Sequence, residues 1–177
     1  MIRKIKNLVG LTRLKVNFYF HDNNFKNNKT EIGNELIIRE ISCLDDFLRL
    51  RQSLNGLGVL DDNIIRFSNN HILYCLCTKD EIIAYGWKAD NGKIFISEIR
   101  RNFKIPDETT LLYDFYTFEK YRSLGMYKKI LRYITFHSKY RCLIYALDSN
   151  IQSNKAILSC GYKFIITKTF LSKFGNF

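Results

Sequence analysis

The most constraining stretch of this chain is a strand-like run that gives way to a short polar loop and restarts as a helix. Residues 111–118 (LLYDFYTF) are apolar and aromatic, the composition of a strand. Residues 126–139 carry Ile130, Leu131, Ile134 and Phe136 at helical spacing, and Gly125 stands at the junction. A helix N-terminus presents several backbone N–H groups without intrahelical partners and about half a positive charge. Set directly after a strand, it is an anion site. Gly125 lets the backbone approach a phosphate or adopt a positive φ. Arg122 adds charge there, and Lys128 and Lys129 extend the positive field. The segment is neither a Walker A loop nor a dinucleotide fingerprint, because GxxxxGK[ST] and GxGxxG are both absent.

The elements around this junction alternate in period. Residues 35–41 read as a strand, and 44–54 as a helix with Asp45 and Asp46 in its first turn and Gly56 and Gly58 beyond its end. Residues 71–77 and 81–87 form a hairpin around Thr78-Lys79-Asp80, and Asn91-Gly92 turns into a strand over 93–100. Residues 142–147 are a buried strand, 152–160 a helix stopped by Gly161, and 162–170 a last strand. Residues 35–177 therefore read as one domain of mixed α and β. Residues 1–34 read as a basic N-terminal extension, in which Ile2, Ile5, Leu8, Val9 and Leu11 fall near helical spacing before an Asn-rich loop from Asp22 to Lys29. That helix packs on the domain, caps a homo-oligomer, or lies on an anionic membrane surface through residues 1–20.

The net charge of +11 admits nucleic acid, a membrane surface or an anionic small ligand as partner. There is no dense Arg run, helix-turn-helix pattern or zinc-finger spacing, which argues against nucleic acid. The five cysteines form no CxxC pair and mostly sit in apolar runs, as buried free thiols of a reducing compartment do. No metal site is expected. With no apolar run of membrane-spanning length and no clean signal peptide, the expectation is a cytoplasmic protein, with contact to the inner membrane face as the alternative.

Two segments together carry a family resemblance. Arg122-Ser123-Leu124-Gly125-Met126-Tyr127 resembles the phosphate loop of the GCN5-related N-acetyltransferases (the GNAT superfamily), [Gln/Arg]-x-x-Gly-x-[Gly/Ala], with Tyr127 in place of the small residue. Asn150, Ser153, Gly161 and Tyr162 resemble the family's later Asn-x-x-Ser…Gly-Phe segment. The resemblance covers residues 35–175. It implies an α+β fold, a twisted and mostly antiparallel sheet with two splayed parallel central strands and helices on both faces. It implies acetyl-CoA, or another acyl-CoA, as co-substrate, its arm lying between strands 111–118 and 142–147. Phe115, Tyr116 and Thr117 would pair with the arm through their backbone. The loop residues Arg122, Ser123, Leu124, Gly125, Met126 and Tyr127 would hold the phosphates, and Asn150 and Ser153 would bond the arm or simply cap their helix.

Acyl transfer to an amine requires a base for the amine, stabilisation of the oxyanion and, in many relatives, an acid for the leaving thiolate. The family's acid, a tyrosine of the last helix, would fall near Ile157 and Leu158, so Tyr145, Tyr116 or solvent must substitute. Asp114 and Glu98 are equal candidates for the base, followed by His71 or a water. The phrase YDFYTFEKYRSLGMY is similar to bacterial GNAT-like proteins of surface-polysaccharide and nucleotide-sugar pathways, which implies an amino sugar or nucleotide-linked amino sugar as acceptor. A protein, peptide or small metabolite amine is the alternative. Outside enzymes, the rivals are a non-catalytic coenzyme A binder and a membrane-peripheral module.

Overall fold

The structure, a computed structural model, describes residues 11–22, 35–53 and 60–173. The elements run β1 (Leu11–His21), β2 (Ile37–Ile41), α1 (Leu44–Ser53), α2 (Leu60–Ser68), β3 (Ile72–Cys77), β4 (Ile82–Ala89), β5 (Lys93–Ile96), β6 (Arg101–Lys104), β7 (Thr109–Thr117), α3 (Met126–His137), β8 (Arg141–Leu147), α4 (Ile151–Ser159) and β9 (Lys163–Lys173). The main sheet is ordered β2-β3-β4-β7-β8-β1-β9, with β5 and β6 as a separate hairpin. Among the described residues only β7 and β8, at the centre, pair in parallel. This is the expected α+β sheet with one parallel pair.

Period-two alternation divides the core between two faces. Along β8, Leu143, Tyr145 and Leu147 join a cluster with Phe47, Leu50 and Phe67 of α1 and α2 and with Ile94 and Ile96 of the hairpin. Cys142, Ile144 and Ala146 join the opposite cluster, with Ile130, Leu131 and Ile134 of α3 and Ile157 of α4. Each fully buried Leu or Ile contributes about 1.5–3 kcal/mol. Burial also holds the thiols inert: Cys75, Cys77 and Cys142 are buried, all five cysteines are free, and the Cys77 thiol is pushed up to about 11.

The N-terminal reading needs correction. Residues 11–21 are no part of an extension outside a domain that begins at residue 35. They form β1, which lies within the sheet, antiparallel to both β8 and β9. Val16, Phe18 and Tyr19 are buried there, which removes residues 11–20 from any helix lying on a membrane. Leu14, Val16, Phe18 and Phe20 alternate with Arg13, Lys15, Asn17 and Tyr19, a period of two that the helical count over the preceding residues overran. The helix expected over residues 2–9 and most of the Asn-rich loop lie outside the described residues. Among the described residues β9 pairs with β1 alone, so β1 is what attaches β9 to the sheet.

Two further differences bear on the site. The helix α2 was not read from the sequence. The strand expected over 93–100 ends at Ile96, turns through residues 97–100 with Arg100 at φ 51°, and returns as β6. Glu98 is therefore an exposed turn residue, and no longer mid-strand.

Candidate active site

The parallel ladder joins Thr109 through Leu112 of β7 to Arg141 through Ile144 of β8 and forms no further pair among the described residues. Beyond that point each strand follows its other neighbour. Residues 113–117 of β7 pair with β4, and β8 stays on β1 as far as Leu147. A bulge helps turn β7 away: Tyr85 and Trp87, with Gly86 between them, oppose Tyr116 and Tyr113, with Asp114 and Phe115 between them. Asp114 takes the extra residue's strain at φ 49°. The result is a V-shaped gap between 113–117 and 145–147.

β7 leaves the gap through a single 3-10 turn, Glu119–Tyr121, into the loop before α3. The turn is pinned by Glu81, which accepts from Lys120 Nζ at 2.8 Å and from the Tyr121 hydroxyl. Lys120 first, then the phenol, holds the Glu81 carboxyl below its ordinary range. Ser123 (φ 64°) and Gly125 (φ 76°) both take left-handed backbone, and Gly125 is the N-cap of α3 without a side-chain cap. The amides of Met126, Tyr127 and Lys128 precede the first helical bond, Lys129 N to Gly125 O at 3.1 Å. Arg122 folds back over the mouth of the gap, donating to Thr117 O at 3.2 Å and the Tyr116 hydroxyl at 3.3 Å. Thr117 Oγ1 is buried and has no hydrogen-bond partner among the described residues.

On the α3–α4 side, Asn150 caps α4, its Oδ1 accepting from Ser153 N at 3.1 Å. Tyr127 turns inward: its ring lies 5.4 Å from that of Phe115, Ser153 hydrogen-bonds its hydroxyl, and burial raises its pKa. The anchor of this region is Asn154, one residue past the expected motif. Its Nδ2 donates to the carbonyls of Leu147 (2.9 Å) and Asn150 (2.8 Å), and its Oδ1 accepts from the Tyr19 hydroxyl (2.6 Å).

The opposite face of the gap carries the titratable groups. Asp114 Oδ2 lies 2.5 Å from Arg66 Nη1, whose guanidinium sits 4.9 Å from the Trp87 ring and 5.4 Å from that of Tyr113. Burial raises the Tyr145 phenol, and Glu98, Asp114 and Tyr113 raise it further, against Arg66. Tyr85 stacks on Tyr116 at 5.7 Å and is pushed up to about 12, chiefly by burial and then by Asp114. His71 is buried with Nδ1 2.7 Å from the Tyr113 hydroxyl; burial and then Arg66 lower its pKa.

Of the residues singled out in the sequence, Asp114 and Glu98 both act by charge on the Tyr145 phenol. Phe115 packs with the α3–α4 cluster, whereas Tyr116 stacks on Tyr85 of the opposite one. His71 is spent on Tyr113. Leu124 and Ser123 are exposed in the loop. Ile157 is fully buried at the place of the missing helix tyrosine. Arg66 and Asn154 were overlooked. The spacing of Leu60, Ile64 and Phe67 would have revealed the helix that carries Arg66; nothing in the local sequence marks Asn154. Among the described residues no group of three or more His, Cys, Asp or Glu side chains could hold a metal ion, and no helix is long and apolar enough to cross a membrane.

No protein-family model matches the chain, and no curated protein matches it. Solved structures match its shape. A functionally unknown conserved protein from Staphylococcus epidermidis ATCC 12228 superposes with a TM-score of 0.61 at 13% identity, over 93% of this chain and 63% of that one. An acetyltransferase of the GNAT family from Colwellia psychrerythraea gives 0.56 at 17% identity, over 93% of this chain and 58% of its own. A GCN5-related N-acetyltransferase from Kribbella flavida gives 0.56 at 11% identity, over 94% and 61%. This chain spans less than two thirds of each of them. Its fold is that of the GNAT acetyltransferases.

Proposed function

We propose that the chain is an acyl-CoA-dependent N-acyltransferase, with acetyl-CoA as the simplest donor. One observation carries this reading: the central parallel strands part after Leu112 and Ile144, and the strand leaving the gap leads into a helix N-terminus with left-handed Ser123 and Gly125. A gap of this kind accepts an extended amide-bearing arm as an added strand, and the helix end accepts its phosphates. Thr117 fits such an arm, because its buried hydroxyl lacks a partner that an arm amide supplies.

In this reading the backbone of Phe115, Tyr116 and Thr117 aligns the arm. The amides around Gly125, Met126 and Tyr127 bind the pyrophosphate, with Arg122 swinging from Tyr116 to join them. Asn150 and Ser153 support the arm from the start of α4. A backbone N–H at the Asp114–Phe115 bulge faces the developing oxyanion. Asp114 or Glu98 accepts the proton of the acceptor amine. The amine nitrogen attacks the thioester carbon, the C–S bond breaks, and the Tyr145 hydroxyl protonates the departing sulfur. Burial keeps the Tyr145 phenol protonated in the free site. The acceptor is an amino sugar, including nucleotide-linked forms, for which Tyr85, Tyr116 and Tyr145 offer flat faces.

Thermal-shift titration with acetyl-CoA, followed by free-thiol release with amino sugars, tests this. Binding raises the melting temperature with the logarithm of ligand concentration. No stabilisation at millimolar acetyl-CoA overturns the donor assignment. Stabilisation without thiol release for any amine leaves a non-catalytic coenzyme A binder, the reading favoured by Ile157 at the missing acid's place.

A further inference from the structure

We propose that Arg66 reads an anionic group on the acceptor and thereby releases Asp114 to act as the base. This rests on the acyl-transfer reading above and names the acceptor class for the same site: amines that also carry a phosphate or carboxylate.

Arg66 is built into place. It lies in the last turn of α2, where a cation is favoured by the helix dipole. Its carbonyl accepts from Asn69 N at 3.1 Å and His71 N at 3.0 Å, and Asn70 at φ 59° turns the chain into β3. The guanidinium is oriented by the Trp87 and Tyr113 rings, and Trp87 is only 1% exposed. It meets Asp114 at the one point of β7 where a non-glycine residue takes left-handed backbone.

Stability does not account for this arrangement. The Arg66 and Asp114 side chains are 23% and 42% exposed, and ion pairs of that kind add little to a fold. A left-handed aspartate costs something in addition. The pair makes sense at the mouth of the gap as a device for handling charge.

As it stands the Asp114 carboxylate is occupied by the guanidinium, Oδ2 lying 2.5 Å from Arg66 Nη1. A phosphate or carboxylate competes for a planar guanidinium with matching two-point geometry. When the acceptor's anion takes Arg66, Asp114 is left facing the acceptor's ammonium group. The charges around the gap set the acceptor's direction. Arg66 Nη1 and Asp114 Oδ2 are neighbours at 2.5 Å, so an acceptor whose anion takes the guanidinium brings its ammonium beside the carboxylate. The ammonium gives a proton to Asp114, which passes it to solvent; the neutral amine forms the C–N bond, the nitrogen sheds its second proton to the freed Asp114 carboxylate, the C–S bond breaks, and Tyr145 protonates sulfur. Asp114 returns its proton to solvent, and solvent restores the Tyr145 proton. Ammonium plus thioester becomes amide, thiol and one released proton. A neutral amino sugar lacks the group that opens the pair.

The test is free-thiol release under saturating acetyl-CoA with glucosamine and with its 1- and 6-phosphates. For the wild-type chain, kcat/KM for at least one phosphate exceeds that for glucosamine by about tenfold or more, the size of one charge-assisted contact. Arg66→Gln lowers that value by about the same factor and raises kcat/KM for neutral glucosamine, since Asp114 is no longer held. Arg66→Lys keeps the charge without the fork and falls between the two; it also serves should the Gln variant fail to fold by circular dichroism. A role confined to folding lowers both acceptors together, which would overturn the proposal, as would equal wild-type kcat/KM for charged and neutral acceptors. Turnover without charge preference sinks this inference alone. No turnover with any amine sinks the transfer reading as well.

Discussion

Gly86 on β4 lies directly beneath the ring of Phe115 on β7. A Cβ on Gly86 would stand 2.5 Å from Phe115 Cε1 and 2.6 Å from Cδ1. The ring occupies the space that any other residue's side chain would fill, and it belongs to the bulged stretch at which the central strands part. The bare backbone at Gly86 and the conformation of the bulge are thus one feature.

Gly86→Ala is expected to destabilise the chain by about 1–3 kcal/mol, the usual cost of overpacking, and to disturb the gap. Adding Phe115→Leu should recover part of the loss. Urea denaturation of the two single variants and the double variant checks the coupling. Additive effects would show that the contact is relieved in some other way.

Gly125→Glu should spare the fold and abolish donor binding. Nothing lies within 4 Å of a Cβ built at Gly125, so the cost is the left-handed backbone at φ 76°, about 1–2 kcal/mol. The new carboxylate would stand among the amides assigned to the phosphates. The expected result is a folded protein whose melting temperature no longer responds to acetyl-CoA.

Tyr145→Phe retains the ring in its core position and removes the hydroxyl. If that hydroxyl protonates sulfur, kcat falls by about a hundredfold, within the usual range for a general acid, while acetyl-CoA binding is unchanged. Steady-state kinetics separates the two parameters. An unaltered kcat assigns the proton to solvent.

Asn154→Ala should cost more stability than Asn150→Ala. Loss of the Asn150 cap costs about 1 kcal/mol. Loss of Asn154 takes the 2.6 Å partner from the Tyr19 hydroxyl, at about 1–3 kcal/mol, and one of two donors from the Leu147 carbonyl, which keeps Asn150 N at 2.9 Å. Because Tyr19 lies on β1, protease cleavage within residues 1–21 should also accelerate in the Asn154 variant alone.

His71 makes the fold sensitive to acid. Its pKa in the folded chain lies below the ordinary value near 6.5, from burial and then from Arg66. Both states are neutral above that value, so the full stability is present there. As pH falls below about 6.5 the unfolded chain takes up a proton that the folded chain refuses, and stability declines until the lowered folded value is reached. His71→Gln should flatten this part of a pH series of melting temperatures.

Much of the architecture was legible without coordinates. Helices α1, α3 and α4 and most strands announce themselves by period and punctuation, because apolar spacing and the flanking Gly residues are local properties. The loop around Gly125 was legible for the same reason. Helix α2 was overlooked, and so was the end of β5, where a run of three β-formers hides a turn at residues 97–100.

The sequence by itself determined helices α1, α3 and α4, most of the strands and the mixed α+β class, because apolar period and punctuation are local properties. Tertiary structure alone decided three things. It placed residues 11–21 between β8 and β9, since a strand's pairing partners lie far away in sequence and no local signal names them. It brought Arg66 of α2 onto Asp114 of β7, 48 residues apart, by turning the end of one helix over the face of the sheet. It parted β7 from β8 after Leu112 and Ile144, because β4 and β1 compete for the same strands and the bulge at Asp114 tips the balance.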